Sequence, residues 1–127
     1  MKDHLQDLST RQDVEKMVNT FYEKVNQDSL LAPVFNQVAE VDWPHHLPKM
    51  YDFWSSILLG DMRYKGNPFQ KHIPLPIDPA HFERWLQLFT LNIDEHFSGP
   101  VAEEAKQRAA SIAGIFRYKL HLIRGDA

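Results

Sequence analysis

Apolar residues recur at three- and four-residue intervals through almost every substantial stretch of this chain, and that spacing restricts it to a helical fold. Val14, Met17, Val18, Phe21 and Val25 make the first stripe, and Tyr22, four residues past Val18, shares its inward side. Trp43, His46, Leu47, Met50, Phe53, Trp54, Ile57 and Leu58 make a second, broader face. Phe82, Trp85, Leu86, Phe89, Ile93 and Phe97 make a third. Val101, Ala105, Ala109, Ile112, Phe116, Leu120 and Ile123 make a fourth. No stretch alternates convincingly as a strand does, so the expected class is all-α, with four sizeable helices in two pairs. At 127 residues the chain is expected to form one domain around one core.

Local signals set the expected boundaries. Ser9-Thr10 precedes the first helix, with Asp13 placed to complete a capping box, and Asn26–Ser29 ends it. Leu30 to Val38 reads as a short helix or turn carrying Phe35. Asp42 is expected to cap the second helix, with Pro44 in its first turn. Pro48 would remove a backbone bond, which predicts a distorted or 3₁₀ turn over Trp43–Leu47 and a regular helix from about Pro48 to Gly60. Between Gly60 and Pro79 the chain reads as loop. Within it, Asn67 and Pro68 predict one or two helical turns through His72. Asp78-Pro79 starts the next helix, Gly99 ends it, Pro100 starts the last, and the tail from Arg124 is expected to fray.

Composition removes several classes of function. There are no cysteines, which excludes disulfides, thiolate zinc, iron–sulfur clusters and thiol catalysis. Fourteen basic residues against seventeen acidic ones, with no basic stripe, argue against nucleic acid as a partner. Neither a signal peptide nor a membrane-length apolar run is present, so the expected location is the cytoplasm, with no membrane partner. No paired carboxylates, nucleophile motif or phosphate-binding glycine loop supports hydrolytic chemistry.

Seven histidines and a surplus of aromatics (three Trp, four Tyr, eight Phe) remain to be placed. His72 stands on a very short helix pinned by prolines on both sides, and Phe69 and Ile73 share its side. A loop histidine is more often solvated. Here the helix is too short to stand alone, and the prolines lower the entropy cost of fixing the ring. An imidazole so held suits the fifth ligand position of a haem iron. Tyr22 and Trp85 are either ordinary core residues or, beside a cofactor, an O–H and an N–H donor aimed into its pocket. A hydrogen bond from such a donor to a polarised ligand is worth about 1.5–3 kcal/mol. His45 and His46 point about 100° apart on a helix, so a shared zinc site is disfavoured. His46 is expected to turn inward and His45 outward. His4, His81, His96 and His121 read as surface or boundary residues.

Taken in order, several motifs resemble the truncated haemoglobins of group III. They are Phe21-Tyr22-Glu-Lys-Val25, Pro33-Val-Phe35, Phe53-Trp54 with Leu58-Leu-Gly60, Lys71-His72-Ile-Pro-Leu-Pro76, and Phe82-Glu-Arg-Trp85-Leu-Gln-Leu-Phe89. The likeness covers about Asp13 to Leu120. It implies a two-over-two helical sandwich around one haem b, with residues 1–127 forming a single globin-like haem-binding domain. His72 would be the proximal iron ligand, and Tyr22, Trp85 and His46 would face the bound gas. The neighbouring Pro48 can displace His46. Phe35, Met50, Phe53, Trp54, Phe82 and Phe89 would line the cofactor. Lys49, with Lys71 as a second candidate, would meet a haem propionate.

The function this implies is binding of dioxygen, nitric oxide and carbon monoxide at iron. Several donors around one ligand favour tight retention, hence redox or detoxifying chemistry on oxygen, nitric oxide or peroxide over oxygen transport. Nitric oxide dioxygenase and peroxidase-like activities both fit, with a reductase as electron donor, and so does oxygen sensing without catalysis. A monomer or weak oligomer is expected. Two readings without haem stay open: a cofactor-free helical interaction or regulatory domain, and a histidine-rich metal bundle, the latter disfavoured because the His/carboxylate spacing of such bundles is missing.

Overall fold

The computed structural model describes residues 5–38, 41–60 and 77–124. Helix α1 spans Arg11–Gln27, a π turn spans Val34–Val38, and α2 spans Trp43–Leu59. Helix α3 spans Pro79–His96 and α4 spans Pro100–Arg124. Among the described residues there is no strand. His72, Lys71 and the short helix expected around them lie outside the described residues.

Helices α3 and α4 pack against each other, α1 packs on α2, and α1 also crosses onto α3, joining the two pairs. The first stripe is the centre of this arrangement. Val14, Met17, Val18, Phe21 and Val25 are all almost fully buried, as are Phe89 and Ile93 from α3. Burying each such side chain contributes about 1.5–3 kcal/mol. Ala102, Ala105 and Ala109 form the inner edge of α4, and their small side chains let it lie close to the core. Asn92, fully buried in α3, donates from Nδ2 to the Met17 carbonyl at 3.0 Å and ties α3 to α1.

Helix α1 starts as its sequence dictates. Thr10 accepts from the Asp13 amide and Asp13 returns the bond to the Thr10 amide, a complete capping box. Helix α3 starts in a similar way, with Asp78 accepting from Ala80 N and His81 Nδ1 taking the Asp78 amide. His81 is therefore a capping residue as well as a boundary one.

Four local expectations need correction. Helix α2 is α-helical from Trp43, not from Pro48. Asp42 O accepts from both His45 N at 3.0 Å and His46 N at 2.8 Å, so the first turn closes normally. Pro48 is on the exposed side, where the carbonyl it leaves without a donor is easily solvated. Asp42 occupies the N-cap position without capping, because its carboxylate binds His45 Nδ1 at 2.9 Å instead. Helix α3 ends at Phe97, whose extended backbone breaks the helix two residues before Gly99. Ile123, expected inside, is 55% exposed because α4 runs past the core at that end.

Gly99 has a different task. Its φ is +146°, and a Cβ there would fall 2.5 Å from Asp7 Cγ. That close approach lets Asp7 accept from Ala102 N at 2.7 Å and Val101 N at 3.0 Å. A carboxylate from the segment before α1 thus caps α4, where the helix dipole also favours negative charge.

Candidate functional site

Tyr22 anchors a cluster of rings contributed by α1, the π turn and the start of α2. The apolar stripe of α1 turns it inward, leaving 7% of its surface exposed. Ring centroids place Trp43 at 5.2 Å, His46 at 5.6 Å and Phe35 at 5.8 Å from it. Burial pushes the Tyr22 phenol far above its ordinary range, so it stays protonated and able to donate. Among the described residues nothing accepts from its hydroxyl.

Trp85 reaches the same region from α3. Its ring meets Phe21 edge-on at 5.6 Å, and Phe21 lies 5.0 Å from Tyr22, so one phenyl ring separates the two candidate donors. Trp85 is half-buried and its indole N–H bonds to none of the described residues. Trp43 contrasts with it, because its Nε1 donates to Asn36 Oδ1 at 2.9 Å.

The structure brings Tyr22, His46 and Phe35 together, with Trp85 one ring away. His46 is half-buried and turned inward, while the His45 side chain is 82% exposed, as their positions on the helix predict. Met50 and Phe53 continue down α2, both half-buried, and Lys49 is exposed. Trp54 and Phe89 belong to the core: they stack at 4.8 Å, and both are nearly sequestered. Phe89 also stacks with Trp85 at 5.6 Å. Phe82 sits apart, packed near Val34, Ile77 and Leu120 and bordering a cleft of about 320 Å³ between the start of α3 and the end of α4. Among the described residues no group of histidines and carboxylates could hold a bare metal ion.

Sequence reading missed Asn36. It accepts from Trp43 and donates from Nδ2 to Asn26 Oδ1 at 2.8 Å and to Ala32 O at 3.1 Å. It also missed Arg84, whose Nε donates to Asp28. For each, the partners are distant in sequence or across a turn.

The residues present fit a planar apolar cofactor carrying a polar ligand. Tyr22, nearly buried, offers a hydroxyl with no acceptor among the described residues. Of the seventeen residues of α2, only Trp54 and Ser55 are fully buried, which leaves Met50, Phe53, Ile57 and Leu58 half-covered on an apolar face. A greasy plate against that face would cover what the described residues do not.

Comparison with known proteins agrees with this. Residues 6–116 match the family model described as bacterial-like globin. The chain is 34% identical to the group 3 truncated hemoglobin ctb of Campylobacter jejuni over 119 residues, covering 91% of this chain and 94% of that protein. It is also 34% identical to the group 1 truncated hemoglobin GlbN of Nostoc commune, over 71 residues, 55% of this chain and 58% of that one. The crystal structure of a group III truncated hemoglobin from Campylobacter jejuni superposes with a TM-score of 0.79 at 35% identity, covering 87% of this chain and 91% of the other. With four helices in the expected pairs among the described residues and a cluster of rings between α1 and α2, this chain belongs to the bacterial-like globins, haem-binding proteins that take diatomic gases, and among them to the group III truncated haemoglobins.

Proposed function

We propose that the protein holds haem b and retains bound gas tightly for redox or detoxifying chemistry on oxygen, nitric oxide or peroxide, not for oxygen delivery. The observation that carries this reading is Tyr22: a nearly buried side chain inside a cluster of rings, held protonated, with no acceptor for its hydroxyl among the described residues. When bound, the haem iron supplies an open coordination position for a diatomic gas and a one-electron redox couple. The chain's own residues supply the rest.

His72 is the residue proposed to hold the iron from the proximal side. Lys49, exposed one turn beyond His46, is the candidate partner for a propionate, with Lys71 the second. Phe35, Met50 and Phe53 give the cofactor apolar cover. Tyr22 Oη and Trp85 Nε1 donate toward a polarised ligand, and His46 adds a third polar group beside Tyr22. Each such bond slows ligand loss, and the rings around Tyr22 keep water from competing for the donor. Conversion of nitric oxide and dioxygen to nitrate consumes one electron overall, which a reductase would deliver. A single domain working in the cytoplasm as a monomer or weak oligomer completes the proposal. Among the described residues no helix is long and apolar enough to cross a membrane.

Visible spectra of purified protein, with oxygen dissociation rates for wild type and Tyr22→Phe, test the reading. The expected result is a Soret band and slow oxygen release, accelerated about 10- to 100-fold in the variant, as loss of a 1.5–3 kcal/mol bond requires. Fast release unchanged by the substitution would overturn it.

A further inference from the structure

Tyr22 and His46 share one neighbour at the start of α2. Trp43 touches both rings, at 5.2 Å and 5.6 Å, and stacks on Phe35 at 5.9 Å with an interplanar angle of 23°. It stands at the first position of α2, three residues before His46, where a helix end would ordinarily be free to fray. The backbone adds one link across the turn, Val41 N to Phe35 O at 2.9 Å. Asp42, at the N-cap, spends its side chain on His45 and contributes no cap to this turn. What holds the Trp43 ring is Asn36. Its amide is used in full: Oδ1 accepts from Trp43 Nε1, while Nδ2 donates to Asn26 Oδ1 and Ala32 O.

We propose that Asn36 and Trp43 form a latch that positions the Tyr22–His46 pair and limits small-molecule access to it through the α1–α2 edge of the ring cluster. Three features carry this. The indole closes the ring cluster over a tyrosine that is only 7% exposed. Its hydrogen bond lies at the surface, so it can open without unfolding the core. The relay ends on Asn26, in the last turn of α1, so the start of α2 is referenced to the helix that carries Tyr22. Trp43 is a positioning residue here, acting through Tyr22 and His46.

The inference rests on the gas-binding reading, and two measurements separate their failures. The first is flash photolysis of the carbon monoxide complex in wild type, Trp43→Phe and Asn36→Leu. Both substitutions break the latch, and the first keeps the aromatic stack. Association and dissociation rates should rise together, about threefold or more, with affinity changed less than twofold; rates unchanged in Trp43→Phe would overturn the latch. Tyr51→Phe, which removes another surface bond of α2 to Asn19, should leave both rates alone. The second is nitration of Tyr22 by tetranitromethane, mapped by mass spectrometry against the 63% exposed Tyr118. Nitration should increase several-fold in both latch variants at unchanged thermal midpoint. If the protein takes up no haem, the gas-binding reading fails and nitration alone decides the latch. Equal Tyr22 nitration in wild type and variants would overturn it.

Discussion

Arg84 Nε donates to Asp28 Oδ1 at 2.7 Å, fastening the end of α1 to the second turn of α3 across fifty-six residues of sequence. The Asp28 side chain is 6% exposed, and its other oxygen accepts from Leu30 N and Leu31 N. Burial alone would raise the Asp28 pKa, but the Arg84 bond and the two amides outweigh it and hold the carboxyl below its ordinary value. A lowered folded-state pKa means stability fully present above the unfolded carboxylate range, near pH 4, and lost as pH falls through the folded value. Asp28→Asn should therefore cost about 1–2 kcal/mol at neutral pH, discounted because Arg84 is half-exposed. In chemical denaturation the gap from wild type should close below about pH 4; a gap constant with pH would assign the loss to packing.

Gly99→Ala tests the joint between Asp7 and α4. Both the positive φ and the 2.5 Å approach to Asp7 Cγ oppose a side chain. A loss of about 2–3 kcal/mol is expected, larger than the roughly 1–2 kcal/mol for Asp7→Ala, which removes only the cap. Thermal or urea unfolding of both variants supplies the comparison.

Among histidine variants, His72→Ala should lose haem far more readily than His81→Ala or His121→Ala, followed as transfer of haem to apomyoglobin. His81→Ala should instead lower stability by about 0.5–1 kcal/mol, because His81 completes the start of α3. Equal haem loss across the three would contradict the axial role proposed for His72.

Trp85→Phe keeps most of the ring contacts with Phe21 and Phe89 and removes only the N–H. Oxygen dissociation should accelerate about 3- to 10-fold, as for loss of an ordinary hydrogen bond of about 1 kcal/mol. The thermal midpoint should barely move. A large drop in midpoint with unchanged kinetics would make Trp85 a packing residue alone.

Local chemistry was readable in the sequence, and long-range polar chemistry was not. The Thr10–Asp13 box, the stripe from Val14 to Val25 and the opposite facings of His45 and His46 depend on residues within four positions of each other. Asp7 on α4, Asp28 with Arg84, and Asn36 with Trp43 each depend on how separate segments come to rest. Asp42 shows the limit from the other side: the residue type predicts a cap, but a nearer imidazole takes the carboxylate. Pro48 shows that one missing donor need not distort a helix when it faces outward. Gly99 looked like a helix stop, and its purpose appears only once Asp7 lies beside it.

Helix α1 touches both α2 and α3, whereas those two meet mainly where Trp54 stacks on Phe89. Helix α1 is thus the spine that both share, and among the described helices α2 is otherwise steadied only by that aromatic pair and a small contact with α4. Stripping out the porphyrin should then loosen amide protons in α2 first, while the spine and the α3–α4 pair keep theirs.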